Sequence, residues 1–193
     1  ESLGLVASLS RDAAASAGLA PIKVNALLMR GVNDDEAVDL VRWAVAAGHE
    51  LRFIEHMPLD AGHTWRRDEM ITGAEILARL GEAFTLTPLA GRGAAPAERW
   101  LVDGGPGSVG VIASVTMPFC GACDRLRLTA DGQLRNCLFA REESDLRTPL
   151  RAGASDDELA DIFVSCLAAK LPGHGINEPG FLQPRRPMSA IGG

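Results

Sequence analysis

The residues best suited to chemistry lie in one stretch, CGACDRLRLTADGQLRNCLF, from Cys120 to Phe139. It carries three of the four cysteines, Cys120, Cys123 and Cys137, with Arg125 and Arg127 between them. The C-x2-C spacing of Cys120 and Cys123 lets two sulfurs converge from one tight turn, which Gly121 eases. Cys137 follows 14 positions after Cys123, across a hairpin predicted around Asp131-Gly132. The returning strand can bring its sulfur back beside the other two. Three such thiolates fit either a structural zinc site or an iron–sulfur cluster. Zinc normally takes four ligands; His49, His56, His63 and His174 are candidates for the fourth, though none has partner spacing, and Cys166 is another. Cys166 falls on the apolar face of a predicted helix, where a free cysteine behaves as a small hydrophobe. Three thiolates without a fourth also describe a cluster with one iron open to a further ligand, substrate included. A redox disulfide fits less well, because this C-x-x-C does not open a helix after a strand.

The arginines add a second kind of chemistry. On a strand, Arg125 and Arg127 share one face while Leu126 and Leu128 take the other. Two guanidinium forks beside a metal centre make a receptor for phosphate or carboxylate oxygens. The plainer reading is a solvated strand face; three cysteines alongside favour the receptor.

These groups need elements to hold them. Residues 1–19 read as a helix ending near Gly18, and IKVNALLM (22–29) as a buried strand. Asn33 with Glu36 reads as the N-cap of a helix that stops at Gly48. LRFIEHM (51–57) is the next strand, closed by Pro58, and Thr72 with Glu75 caps the next helix. This alternation predicts βα units around a parallel sheet. After Pro88 the texture changes. RWLVDGGPGSVGVIASV predicts two strands about a Gly-rich turn, and RLRLTADGQLRNCLF a second hairpin. Ser155 and Glu158 cap a helix whose apolar positions Leu159, Ile162, Phe163, Cys166 and Leu167 keep the helical period. The expected organisation is a partial α/β unit at 1–88, a cysteine-bearing α+β region at 89–170 and an irregular tail at 171–193.

Composition bounds the function. With 47% hydrophobic and 23% charged residues, the chain is an ordinary globular one. A net charge of −6 argues against general binding to nucleic acid or anionic membrane. No apolar run approaches the ~20 residues a membrane span requires, and no secretory signal opens the sequence. Clustered cysteines in a reducing, cytoplasmic setting favour metal ligation over cross-linking.

At this point the cysteine–arginine motif resembles the C-terminal cluster motif of the GTP 3′,8-cyclases. These radical S-adenosylmethionine enzymes open molybdenum cofactor biosynthesis. PIKVNALLMRGVNDDE (21–36), LRFIEHMPL (51–59) and RPMSAIGG (186–193) are similar to segments of that family, in the same order. The resemblance implies that Cys120, Cys123 and Cys137 hold a [4Fe–4S] cluster whose open iron binds the guanine base. It implies that Arg125, Leu126 and Arg127 contact GTP, that Lys23 reaches the triphosphate and that Arg52 lines the same cavity. Asn25 and Met57 would contact S-adenosylmethionine. Gly192 and Gly193 would enter the active site, where residues without side chains fit. Taken singly, Lys23 and Arg52 read as surface charges, Met57 as core, and the diglycine as a chain end.

The family's first cluster motif, C-x3-C-x2-C, which serves to generate the 5′-deoxyadenosyl radical, is absent from these 193 residues. Residues 1–88 therefore resemble the last βα units of an incomplete (βα)6-type barrel, and the S-adenosylmethionine site is incomplete. The chain is expected to be part of a longer enzyme and inactive alone. An incomplete sheet exposes an edge that favours self-association, a homodimer included. The family's product is consumed by cyclic pyranopterin monophosphate synthase. The alternative reading is a non-catalytic binding module stabilised by zinc or a cluster.

Overall fold

The computed structural model describes residues 13–191. Chain contacts divide it into two compact units. Among the described residues, the first comprises 13–56 and 70–113, the second 57–69 and 114–191.

In the first unit a five-stranded sheet has the order β1-β2-β5-β4-β3. Strands β1 (Lys23–Leu27) and β2 (Glu50–Ile54) are parallel, and β2 is parallel to β5 (Ser108–Ile112). Strands β3 (Leu86–Leu89) and β4 (Glu98–Val102) complete it with antiparallel pairings. The sequence alternation puts Leu51, Phe53, Val109 and Val111 on one face, and these are buried. Helices α1 (Ala37–Ala46) and α2 (Gly73–Ala83) contribute Val41, Ala44, Ile76 and Leu80 to the same core. The fold is thus mixed α/β with a partly parallel sheet, as the alternation predicted.

The helix ends separate good sequence signals from a misleading one. Thr72 caps α2 through a complete capping box with Glu75, as expected. Gly48, at φ 70°, terminates α1 as expected, with the His49 N–H returning to Ala44 at 2.8 Å. The Asn33–Glu36 signature fails, because α1 starts at Ala37 without a side-chain cap. Asn33 instead turns back on the loop after β1. Its Oδ1 accepts the Met29 N–H at 2.8 Å, and its Nδ2 donates to the Leu27 carbonyl at 3.0 Å. Those bonds satisfy the strand's own terminus.

The contact-based units divide at residues 56–57, 69–70 and 113–114. The β4–β5 hairpin belongs to the first unit because β5 lies directly against β2. Strand β3 was not expected, since Pro88 masks it; a proline is tolerated there because β3 is at the end of the sheet. Of the helix expected over 1–19, residues 1–12 lie outside the described part, and 13–16 are helical.

The second unit has little regular structure. Strands β6 (Arg127–Leu128), β7 (Gln133–Arg135) and β8 (Ser144–Asp145) form a small antiparallel sheet. Gly132 makes the β6–β7 turn at φ 82°, and a Cβ there would meet Arg147 Cβ at 2.5 Å. Helix α3 (Arg147–Arg151) follows, then α4 (Asp156–Ala168), capped by Ser155 and Glu158 as expected. Within α4 Cys166 is 5% exposed, whereas Phe163 and Leu167 remain exposed. Among the described residues, no helix is long and apolar enough to cross a membrane.

Charged side chains do much of the fastening here. Arg135, 2% exposed, pairs with Glu143 and donates to the carbonyls of Leu138 (3.4 Å) and Ala140. Arg186 grips Asp131 with two bonds of 3.1 and 2.8 Å and Glu143 with two contacts of 2.9 Å. That fork anchors the terminal segment, in which Ile191 is fully buried.

Candidate functional site

The site residues of the first unit project from strands. Lys23 and Asn25 share the face of β1 opposite that of Val24 and Ala26, and both are exposed. Register places Asn25 beside Arg52 and Arg52 beside Gly110. Arg52 Nε donates to Asn25 Oδ1 at 2.9 Å. A side chain at 110 would crowd this arrangement, because a Cβ would lie 2.9 Å from Arg52 Cγ and 3.2 Å from Ala97 Cβ. Gly110 is a positioning residue that the sequence reading missed; its register opposite Arg52 was the available signal.

The cysteines belong to the second unit. Cys120–Ala122 forms a single 3-10 turn, closed by the Cys123 N–H on the Cys120 carbonyl at 3.1 Å. Cys137 lies two residues beyond β7. All three cysteines line one cavity of about 520 Å³, together with Lys170, His174 and Glu178. Cys166 is not on its wall. Among the described residues, no three His, Cys, Asp or Glu side chains are grouped closely enough to hold one metal ion.

Two of the three cavity cysteines have a hydrogen-bond donor on sulfur. Arg125 Nη2 donates to Cys123 Sγ at 3.2 Å, and the Phe139 N–H to Cys137 Sγ at 3.4 Å. The thiols differ electrostatically. Burial, then the neighbouring Cys137, pushes the Cys120 thiol above its ordinary pKa. Burial also acts upward on Cys123, but backbone and side-chain hydrogen bonds from Arg125 outweigh it and pull that thiol down.

The two arginines are not on one strand face, because β6 begins only at Arg127. Arg125 precedes it and lies 4.9 Å from the centroid of the Phe119 ring, a cation–π contact. Leu126 between them is half-buried. Burial, with Arg125 and Arg135 nearby, holds the Arg127 guanidinium below its usual pKa. An added anion would relieve that repulsion. Lys170, also missed from sequence, donates to the carbonyls of Arg125 (2.9 Å) and Asn136, tying both arms of the cysteine hairpin.

The other expected site residues are placed as follows. Met57 belongs to the second unit and is half-buried. Gly192 and Gly193 lie outside the described residues. The carbonyl of the preceding Ile191 is 3.5 Å from Arg127 Nη1.

Residues 49–176 match the family profile described as Molybdenum Cofactor Synthesis C. The chain is 61% identical over 183 residues to the GTP 3′,8-cyclase of Streptomyces coelicolor, covering 94% of this chain and 54% of that protein. It is 56% identical over 196 residues to the GTP 3′,8-cyclase of Corynebacterium glutamicum, covering 98% and 52%. A Mycobacterium relative of the same name is 58% identical over 182 residues, covering 94% and 52%. The chain spans about half the length of these relatives.

Proposed function

Because the chain belongs to the Molybdenum Cofactor Synthesis C family, we propose that it is the substrate-binding part of a GTP 3′,8-cyclase acting in molybdenum cofactor biosynthesis. In this reading α1, α2, β1 and β2 are the last βα units of a six-unit open barrel. Cys120, Cys123 and Cys137 hold a [4Fe–4S] cluster. The observation that carries the proposal is that these three cysteines line one cavity and that Arg125 bonds one of their sulfurs. A four-iron cluster suits them, since each sulfur binds its own iron and need not share one ion.

When bound, the cluster would supply an open iron for the guanine base. The protein's own residues then do the positioning. Arg125, the Leu126 backbone and Arg127 hold GTP, Lys23 contacts the triphosphate, and Arg52 is a further GTP contact. Asn25 and Met57 contribute to an S-adenosylmethionine site, and Gly192 and Gly193 approach the reacting nucleotide. The sequence contains no C-x3-C-x2-C motif, so the chain alone does not generate the radical and is inactive by itself. The complete enzyme is cytoplasmic, assembles as a homodimer and passes its product to cyclic pyranopterin monophosphate synthase.

Anaerobic reconstitution tests this. The expected result is a brown protein with iron and sulfide near four each per chain, and GTP bound more tightly than guanosine. Arg127→Ala should weaken GTP by about 1.5–3 kcal/mol and leave guanosine little changed. A colourless protein with stoichiometric zinc and no preference for GTP would make the chain a structural module.

A further inference from the structure

One of the two residues that donate to a cysteine sulfur, Phe139, packs on His174. The Phe139 N–H reaches Cys137 Sγ, and the Phe139 and His174 rings lie 4.7 Å apart, tilted by 48°. Phe181 closes the stack edge-on at 5.9 Å. The His174 ring is committed on both sides. Nε2 meets the Ser114 carbonyl at 2.8 Å, which only an N–H can satisfy, and Nδ1 accepts the Ile176 N–H at 3.2 Å. That pattern fixes one neutral tautomer. A proton added at Nδ1 would set two donors against each other.

His174 lines the cavity, and a histidine beside three cysteines invites the role of fourth ligand. The bonding argues otherwise. Ligation through either nitrogen would strand a backbone carbonyl or a backbone N–H, the latter on buried Ile176. We infer that His174 is a positioning residue: its ring, held by its own two hydrogen bonds, braces Phe139 so that the Phe139 N–H points at the Cys137 sulfur. The inference rests on the reading of these cysteines as cluster ligands. Hydrogen bonds to ligand sulfur stabilise the reduced, more negative cluster, so donors held in place raise its reduction potential.

The experiment is an anaerobic redox titration of the reconstituted chain followed by electron paramagnetic resonance, with iron and sulfide measured on the same samples. His174→Phe keeps a ring on Phe139 and loses both ring hydrogen bonds. His174→Gln retains an amide able to donate to Ser114. Iron loading should survive in both, with the midpoint potential more negative in the Phe variant and intermediate in the Gln variant. Equal potentials in all three proteins overturn the inference. So does loss of iron from both variants with melting unchanged, which would make His174 a ligand. Should His174→Phe fail to fold, Phe139→Leu breaks the stack while leaving His174 intact, and an unchanged potential there is equally fatal. If the unsubstituted chain takes up no iron and sulfide, the cluster reading itself fails instead.

Discussion

The two units hold their site residues by different means. In the first, Asn25, Arg52 and Gly110 face one another because three parallel strands fix their register, over a core of Phe53, Val109, Ile76 and Leu80. In the second, the strands are two or three residues long, and the cysteines are set by individual bonds from Lys170, Arg125 and Phe139. Register is cooperative, since many ladder bonds share the task. A bond-by-bond scaffold is not, so single substitutions should act locally and hard in the second unit.

The sharpest break of that contrast is at the cysteines. Alanine at Cys120, Cys123 or Cys137 should abolish iron and sulfide uptake, whereas Cys166→Ala should leave it nearly intact. Equal losses at Cys166 would bring a residue of α4 into the site. Next comes Lys170→Met, which leaves the Arg125 and Asn136 carbonyls without their charged donor. It should destabilise the second unit by about 1.5–3 kcal/mol. Hydrogen exchange should show faster opening at 120–140 and unchanged protection in β2 and β5; a uniform change would deny the units separate scaffolds. Gly110→Ala probes the other side. Its methyl must displace the Arg52 stem or Ala97, at about 1–3 kcal/mol, with protection lost in β2 and β5 and iron uptake preserved.

The smallest effects are acid-linked, and each unit has its own reporter. The hydrogen bond from Arg30 holds the Glu75 carboxyl at about 2, and that from Arg186 holds Asp131 at about 2. Both folded values lie below the unfolded ones. Their contribution is therefore complete above about pH 4.5 and fades as pH falls towards 2. Both pairs are solvent-exposed, so the change is modest. Arg30→Ala should flatten the acid limb of melting seen in the first unit, and Arg186→Ala that seen in the second. Flattening of both limbs by either variant would mean that the units melt as one.

What could be read from sequence follows the same division. Capping boxes at Thr72 and Ser155, the stop at Gly48 and the strand face of Lys23 and Asn25 were legible, because each depends on residues within one or two turns. Asn33 misled because its side chain had two local uses, and the strand end outcompeted the helix. The cysteine cavity was foreseeable from spacing, but its supports were not. Lys170 and His174 reach it from 30 or more positions away, and no periodicity marks them. Arg125 was assigned to a strand that begins two residues later, since a two-residue strand leaves almost no alternation to read.

One feature of the first unit bears on how the chain tolerates being cut. Glu55, 1% exposed, accepts the Gly73 N–H at 2.7 Å, and Met29 bridges Met70. Gly73 fits there because a Cβ would press on Val111 and Ala113 at 3.1 Å. These contacts close the neck from which residues 57–69 leave the first unit and to which the chain returns. Within that excursion residues 61–64 are exposed. A protease nick there severs the polypeptide but not the neck, so the two fragments should remain associated and co-elute until denaturant is added. The site makes a natural split point, at which the chain could be expressed as two pieces and reassembled.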